Sequence, residues 1–171
     1  MGWSIRRAVA ADADRIGEIT VAGWRHAYRG IVDDERLDAL DAGEIAEVRR
    51  AAIAAPEPMA VFVAEDEQGR VQGYCIVGPP REPEPSDDGA AVLYTLYLDP
   101  AVIGTGAGGA LHDAGVAHLA AAGFARATLW VYTANTGAQS FYAHRGWRVD
   151  GEPYQGPGWS APATRWALDL R

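Results

Sequence analysis

The chain is 171 residues long, 49% hydrophobic and 22% charged, with a formal net charge of −8. That length supports one ordinary domain with a real core, and the acidic balance lacks the cationic footprint of a general nucleic-acid binder. The single cysteine, Cys75, excludes an internal disulfide framework and a CxxC metal site. Every basic residue is arginine or histidine, a composition bias to which no function is attached. No apolar run approaches the length of a membrane span. The stretch Met1-Gly2-Trp3-Ser4-Ile5-Arg6 has no long apolar core of a signal peptide, and Arg6 stands where a myristoylation signal needs Ser or Thr. The expectation is one domain over residues 1–171, cytoplasmic, with neither nucleic acid nor membrane as partner.

In chain order, residues 3–9 read as an opening strand. Asp12 or Asp14 is placed to cap a helix carrying Ile16, Ile19, Trp24 and Tyr28 on its apolar face, ended near Gly30. Residues 33–55 read as a second helical region with Leu37, Leu40, Ile45, Val48 and Ala52 on one stripe, open to a split at Gly43 and stopped by Pro56 and Pro58. Two strands, 59–65 and 71–77, flank the hairpin signature Asp66-Glu67-Gln68-Gly69-Arg70. Residues 79–89 are rich in proline and acid and read as an exposed, mobile loop. An apolar strand over 91–98 leads to a helix over 107–122, closed by Gly123. A strand over 127–132 follows, then a short helix to His144 opened by a Thr136-to-Gln139 capping box, and two final strands at 147–150 and 164–170. The order predicts an α/β fold (mixed α+β): a central mixed sheet of about seven strands flanked by about four helices, covered on both faces.

The glycines between strand and helix carry the chemistry. Gly104-Thr105-Gly106-Ala107-Gly108-Gly109 removes side chains where main-chain N–H groups and the positive end of a helix can meet an anion such as a pyrophosphate. A P-loop is excluded, because that motif needs a lysine after its last glycine. A dinucleotide fold matches the bare G-x-G-x-x-G pattern. However, it wants an acidic residue about 20 residues on, at the end of the next strand, and that strand ends Trp130-Val131-Tyr132-Thr133.

A third reading rests on two motifs. Leu96-Tyr97-Leu98-Asp99-Pro100 followed by Ile103-x-x-Gly106-x-Gly108 resembles the Gln/Arg-x-x-Gly-x-Gly/Ala motif of the GNAT acyl-CoA N-acetyltransferases. Asn135-x-x-Ala138-x-x-Phe141-Tyr142-x-x-x-Gly146-Trp147 is similar to the same family's Asn…Ala…Phe-Tyr…Gly-Phe segment, and the element order matches the family fold. One departure is plain: Ile103 stands where the family has Gln or Arg.

The resemblance implies an acetyl-CoA-dependent N-acetyltransferase that works by direct transfer in a ternary complex. It implies that Leu96, Tyr97 and Leu98 hold the pantetheine arm, with the Leu98 N–H polarising the thioester carbonyl. Ile103, Gly104, Thr105, Gly106, Ala107, Gly108 and Gly109 would form the pyrophosphate loop, Asn135 and Phe141 would line the thiol channel, and Tyr142 would be the acid to the departing sulfur. Trp130 occupies the position where ribosomal-protein N-terminal acetyltransferases carry a glutamate, which favours a small primary amine as acceptor. Glu18, His26, Asp33, Asp34 and His144 are base candidates by type, beside ordered water.

Trp24-x-x-x-Tyr28-x-Gly30 is similar to a subgroup of small-molecule members of the family. Trp24, Tyr28, Tyr94 and Trp130, with Tyr154 and Trp159 of a late loop, are acceptor-site candidates, and each also fits ordinary packing. The four histidines show no metal spacing. A protein or peptide acceptor, a non-catalytic acyl-CoA-binding module, a longer acyl group and a homodimer all stay open at this stage.

Overall fold

The computed structural model describes residues 2–81 and 89–170; most of the predicted mobile loop lies outside them. Seven strands form one sheet: β1 (Ser4–Arg7), β2 (Ala60–Glu65), β3 (Val71–Gly78), β4 (Ala91–Leu98), β5 (Arg126–Tyr132), β6 (Arg148–Val149) and β7 (Ala163–Asp169). Their order is β1-β2-β3-β4-β5-β7-β6, and every neighbouring pair is antiparallel except β4 and β5. Five α-helices are described: α1 (Ala13–Tyr28), α2 (Asp34–Asp38), α3 (Ala42–Ala54), α4 (Ala107–Ala121) and α5 (Thr136–Ala143).

Strand alternation sorts the core into two layers. Tyr74 and Ile76 of β3, with Val61 and Val63 of β2, meet Ile16 and Ile19 of α1 and Ala52 of α3 on one face. Cys75 and Val77, with Ala60 and Ala64, meet Ala107, Leu111 and Leu119 of α4 on the other, where Tyr142 and Trp147 join them. Small residues set the spacing. A Cβ on Gly17 would overlap the Ala42 carbonyl oxygen, so α1 and α3 touch backbone to side there. A Cβ on Gly115 would meet Val77 Cγ1 at 3.0 Å, which lets α4 lie close on β3.

The differences from the sequence-based expectation have local causes. The opening strand stops at Arg7 because the Asp12 carboxylate, gripped by Arg6 at 2.7 and 3.0 Å, takes the Val9 N–H and turns the chain into a 3₁₀ turn over Ala10–Asp12. Neither Asp12 nor Asp14 caps α1: Asp12 makes no cap bond and Asp14 pairs with Arg50 at 2.6 Å. The second helical region divides before Gly43, because the Asp41 carboxylate caps α3 by accepting the Glu44 N–H. The stripe is also displaced: Val48 is 60% exposed and Ala46 is buried in its place. The strand expected at 147–150 shrinks to Arg148–Val149, since Trp147 is taken into the core. Helix α5 is capped by Asn135, whose side chain accepts the Ala138 N–H; Gln139 instead reaches the Thr133 carbonyl, so there is no Thr136 capping box.

The sheet opens at its centre. The pairing of β4 with β5 holds only at Ala91↔Ala127 and Val92↔Thr128, whereas β5 and β7 stay paired along their length. On its other edge β4 carries an extra residue near Tyr94, where the register slips between Ile76↔Thr95 and Val77↔Leu93. Such a bulge bends its strand. Beyond Val92 the two parallel strands diverge and leave a cleft between their C-terminal ends.

Candidate active site

The cleft has a volume of about 510 Å³ and is walled by β4 residues Leu93–Leu98, by Leu129–Tyr132 of β5, by the glycine loop and by α5. The orientation of the β4 amides follows from the ladder. The Asp99 N–H donates to the Gln72 carbonyl at 2.8 Å, and antiparallel hydrogen bonding alternates. The N–H groups of Leu98 and Leu96 therefore point away from β3, toward the cleft where β5 has departed.

The loop after β4 is shaped by a proline-containing 3₁₀ turn, Pro100–Val102, capped by the Asp99 carboxylate on the Ala101 N–H. Arg15 holds that carboxylate at 2.7 Å. Gly104 and Gly106 both have positive φ, +82° and +96°, a conformation side-chain-bearing residues rarely adopt. Gly106 is the N-cap of α4 and has no side chain to cap with, so the first-turn amides of α4 stay free of a side-chain acceptor. Ile103, Gly104, Gly106, Gly108 and Gly109 line the cleft. The side chains of Thr105 and Ala107 do not. The Thr105 hydroxyl donates to the Val102 carbonyl, its own carbonyl accepts the Trp3 indole N–H, and Ala107 is packed into the core.

Asn135, Ala138, Phe141 and Tyr142 bring α5 to the same cleft. Tyr142 is buried, and burial pushes its hydroxyl well above the ordinary tyrosine range. The same effect raises Tyr97, and Tyr28 is pushed up to about 12. The Tyr28 and Tyr97 hydroxyls hydrogen-bond each other at 2.9 Å.

A second hollow of about 360 Å³ adjoins the first. It is lined by Trp24, Tyr28, Tyr94, Tyr97, Trp130 and Tyr132, with Pro157, Gly158 and Trp159 of the late loop. Its rings interlock: Trp24 and Tyr28 are edge to face at 5.0 Å, as are Tyr28 and Tyr132, and Trp159 packs against Trp130 at 5.5 Å. Five of the six acceptor candidates, Trp24, Tyr28, Tyr94, Trp130 and Trp159, are therefore brought together, whereas Tyr154 is exposed and lines neither hollow, though its ring lies 6.2 Å from that of Trp130. No carboxylate lines either hollow among the described residues. Buried side-chain atoms without a protein partner there are the Trp24 indole nitrogen and the Thr95 hydroxyl.

The base candidates separate. His26 lines the cleft. Glu18 pairs with Arg15, Asp34 with Arg29, and His144 bonds the Ser140 carbonyl at 2.7 Å; these and Asp33 lie outside the cleft wall. Among the described residues no cluster of three His, Cys, Asp or Glu side chains forms a metal-ligand set.

Among the cleft residues not expected from the sequence, Tyr132 and Thr95 included, one is charged. Arg145 lies over the Phe141 ring at 4.9 Å and bonds Asp113 at 2.8 Å. It sits in the turn after α5, and nothing in its sequence neighbourhood ties it to the glycine loop.

The sequence model of the acetyltransferase (GNAT) family matches residues 22–147. YuaI of Bacillus subtilis, an uncharacterized N-acetyltransferase, is 31% identical over 146 residues, covering 85% of this chain and 81% of that protein. Among solved structures, the PaiA N-acetyltransferase of Thermoplasma acidophilum in complex with coenzyme A superposes with a TM-score of 0.78 at 20% identity, covering 96% of this chain and 98% of that one. A phosphinothricin acetyltransferase of Sinorhizobium meliloti in complex with acetyl-CoA does so with a TM-score of 0.74 at 24% identity, covering 99% and 89%. With its opened sheet, free strand amides and glycine-capped helix, this chain belongs to the acetyltransferase (GNAT) family.

Proposed function

We propose that the protein transfers the acetyl group of acetyl-CoA to a primary amine of a small molecule, by direct attack within a ternary complex. The observation that carries this reading is the divergence of β4 from β5 beyond Val92↔Thr128, which leaves the Leu96 and Leu98 amides facing a cleft that Tyr142 also lines. In that cleft the pantetheine arm lies along β4 like a missing strand, and the coenzyme's phosphates meet the free amides at the start of α4.

The amine nitrogen attacks the thioester carbon, and the oxygen takes up the negative charge. The Leu98 N–H is placed to donate to that oxygen, a fixed dipole of the kind that often supplies the largest catalytic effect. When the carbon–sulfur bond breaks, the electron pair stays on sulfur. A thiol has a pKa of about 8.5, and Tyr142 is held well above the usual tyrosine value. Tyr142 therefore stabilises the thiolate by donating a hydrogen bond, rather than by giving up its proton entirely. His26, alone of the named base candidates in the cleft wall, takes the proton of the amine directly or through water.

The size and aromatic lining of the second hollow support a small acceptor. Its volume of about 360 Å³ suits a small molecule, and Trp159 of the late loop borders it against Trp130. The test is release of free CoA thiol with a panel of amines and a panel of peptides, in the wild type and in Tyr142→Phe. Turnover with free amines, lowered roughly 10- to 100-fold in kcat by Tyr142→Phe with the KM for acetyl-CoA unchanged, is expected. Turnover with peptides alone would move the protein to the protein-acetylating reading. Acetyl-CoA binding without turnover on either panel would make it a binding module.

A further inference from the structure

We propose that Arg145 is the cation that binds the pyrophosphate of acetyl-CoA, in place of the side chain that Ile103 cannot supply. The inference rests on acetyl-CoA as the donor and adds a residue to that site.

Three observations converge on it. First, the loop itself has no cationic side chain: Ile103 is apolar and half exposed, and the residues from Gly104 to Gly109 are glycine, threonine and alanine. Second, Arg145 reaches the loop from the turn that follows α5 and lines the same cleft as Gly104, Gly106, Gly108 and Gly109. A Cβ on Gly109 would overlap Arg145 Nη2, so the guanidinium lies directly over the first turn of α4 and occupies the space that glycine leaves. Any larger residue at 109 would expel it.

Third, Arg145 is held in place from behind. Asp113 Oδ1 accepts from Arg145 Nη1 at 2.8 Å and also contacts His112 Nδ1 at 2.8 Å. His112 Nε2 in turn accepts the Trp147 indole N–H at 2.8 Å. The Phe141 ring supports the guanidinium plane at 4.9 Å. Only Nη1 is used by Asp113. The rest of the fork, in reach of the Gly109 position, is available to phosphate oxygens, which a planar guanidinium can bind at two points. The free amides and positive end of α4 and the Arg145 charge thus act on the same anion.

The test is calorimetric titration of the whole protein with acetyl-CoA and with acetyl-dephospho-CoA, for the wild type, Arg145→Ala and Asp113→Ala. Arg145→Ala is expected to weaken both ligands by roughly 10- to 100-fold, the range of a lost charge-assisted bond. Asp113→Ala is expected to weaken both ligands by less than Arg145→Ala does, because the cation remains and the Phe141 ring still supports it. Unchanged affinity in Arg145→Ala overturns the assignment. So does an equal loss in Asp113→Ala, which would make Arg145 a structural tether between α4 and the end of α5. A loss with acetyl-CoA that vanishes with acetyl-dephospho-CoA overturns the pyrophosphate in favour of the 3′-phosphate. A wild type that binds neither ligand overturns the donor reading itself, which is a separate failure.

Discussion

The indole N–H of Trp147 donates to His112 Nε2 at 2.8 Å, and this contact determines which nitrogen of the imidazole carries the proton. With Nε2 accepting, Nδ1 is the protonated nitrogen and donates to Asp113. His112 is only 4% exposed, and burial, helped by the nearby Arg145 charge, lowers its pKa against the opposing pull of Asp113. The unfolded chain protonates this histidine near pH 6.5; the folded chain resists, since a second N–H would face that of Trp147. A depressed histidine contributes stability that is present above the unfolded pKa and lost as the pH falls toward the folded one. Between pH 7 and 5.5 the wild type should lose denaturant resistance faster than a His112→Gln variant, whose side chain does not titrate. Parallel slopes for the two proteins would sink this account.

Gly17 presents a conflict between local propensity and packing. An alanine in a helix interior is about 1 kcal/mol better than glycine, yet its Cβ here would enter the Ala42 carbonyl. Backbone cannot step aside as a side chain does, so α1 and α3 must part. Gly17→Ala is expected to cost about 1–3 kcal/mol in urea unfolding. Gly137 in α5 provides the contrast: its added Cβ would meet only Asn135 Oδ1, at 3.8 Å. Gly137→Ala should be neutral or stabilising, and a Gly17→Ala protein of wild-type stability would refute the packing argument.

Cys75 should be chemically silent. It is fully buried beneath α4, and desolvation pushes its thiol up to about 12, so almost no thiolate exists at neutral pH. A thiol reagent should label it only as fast as the protein unfolds, and promptly in denaturant. Rapid labelling of the native protein would contradict the packed core, and would also interfere with following CoA release by its thiol.

Much of this molecule was legible from residue order. The strand at Ala91–Leu98 begins and ends where its apolar run does, because β-branched and aromatic residues fill it and Asp99-Pro100 cannot extend it. The helix after the glycines is equally plain, since Gly106 and Gly123 both take the positive φ that marks its two ends. What escaped was whatever depends on distant partners. The Asp12 carboxylate looks like a helix cap until Arg6 is seen to claim it. The split between α2 and α3 falls at Asp41 rather than Gly43, because a side-chain cap is a stronger stop than a flexible residue. The divergence of β4 from β5 leaves no mark in either strand, since both are apolar in the manner of paired strands. Arg145 was hidden for the same reason: its meaning lies in Gly109, on another helix, lacking a side chain.

Arg36 ties the late loop to the first helical layer, and its removal should act on the acceptor alone. From α2 its Nη1 reaches the Gly158 carbonyl at 3.3 Å and the Ser160 hydroxyl at 2.7 Å. Those bonds hold the segment that carries Trp159 against Trp130 and Tyr132, as the lid of the aromatic hollow. They are exposed, so each contributes about 0.5–1.5 kcal/mol, too little to threaten the fold. Arg36→Ala should therefore raise the KM for the acceptor amine by roughly 3- to 10-fold, the same energy expressed as affinity. The KM for acetyl-CoA should not move, because Gly158 and Ser160, the residues Arg36 bonds, do not line the coenzyme cleft. Trp159→Ala should raise the acceptor KM further, since it removes the lid and not just its latch. Equal effects on the two substrates, or none on the acceptor, would place the acceptor elsewhere than the hollow beneath Trp159.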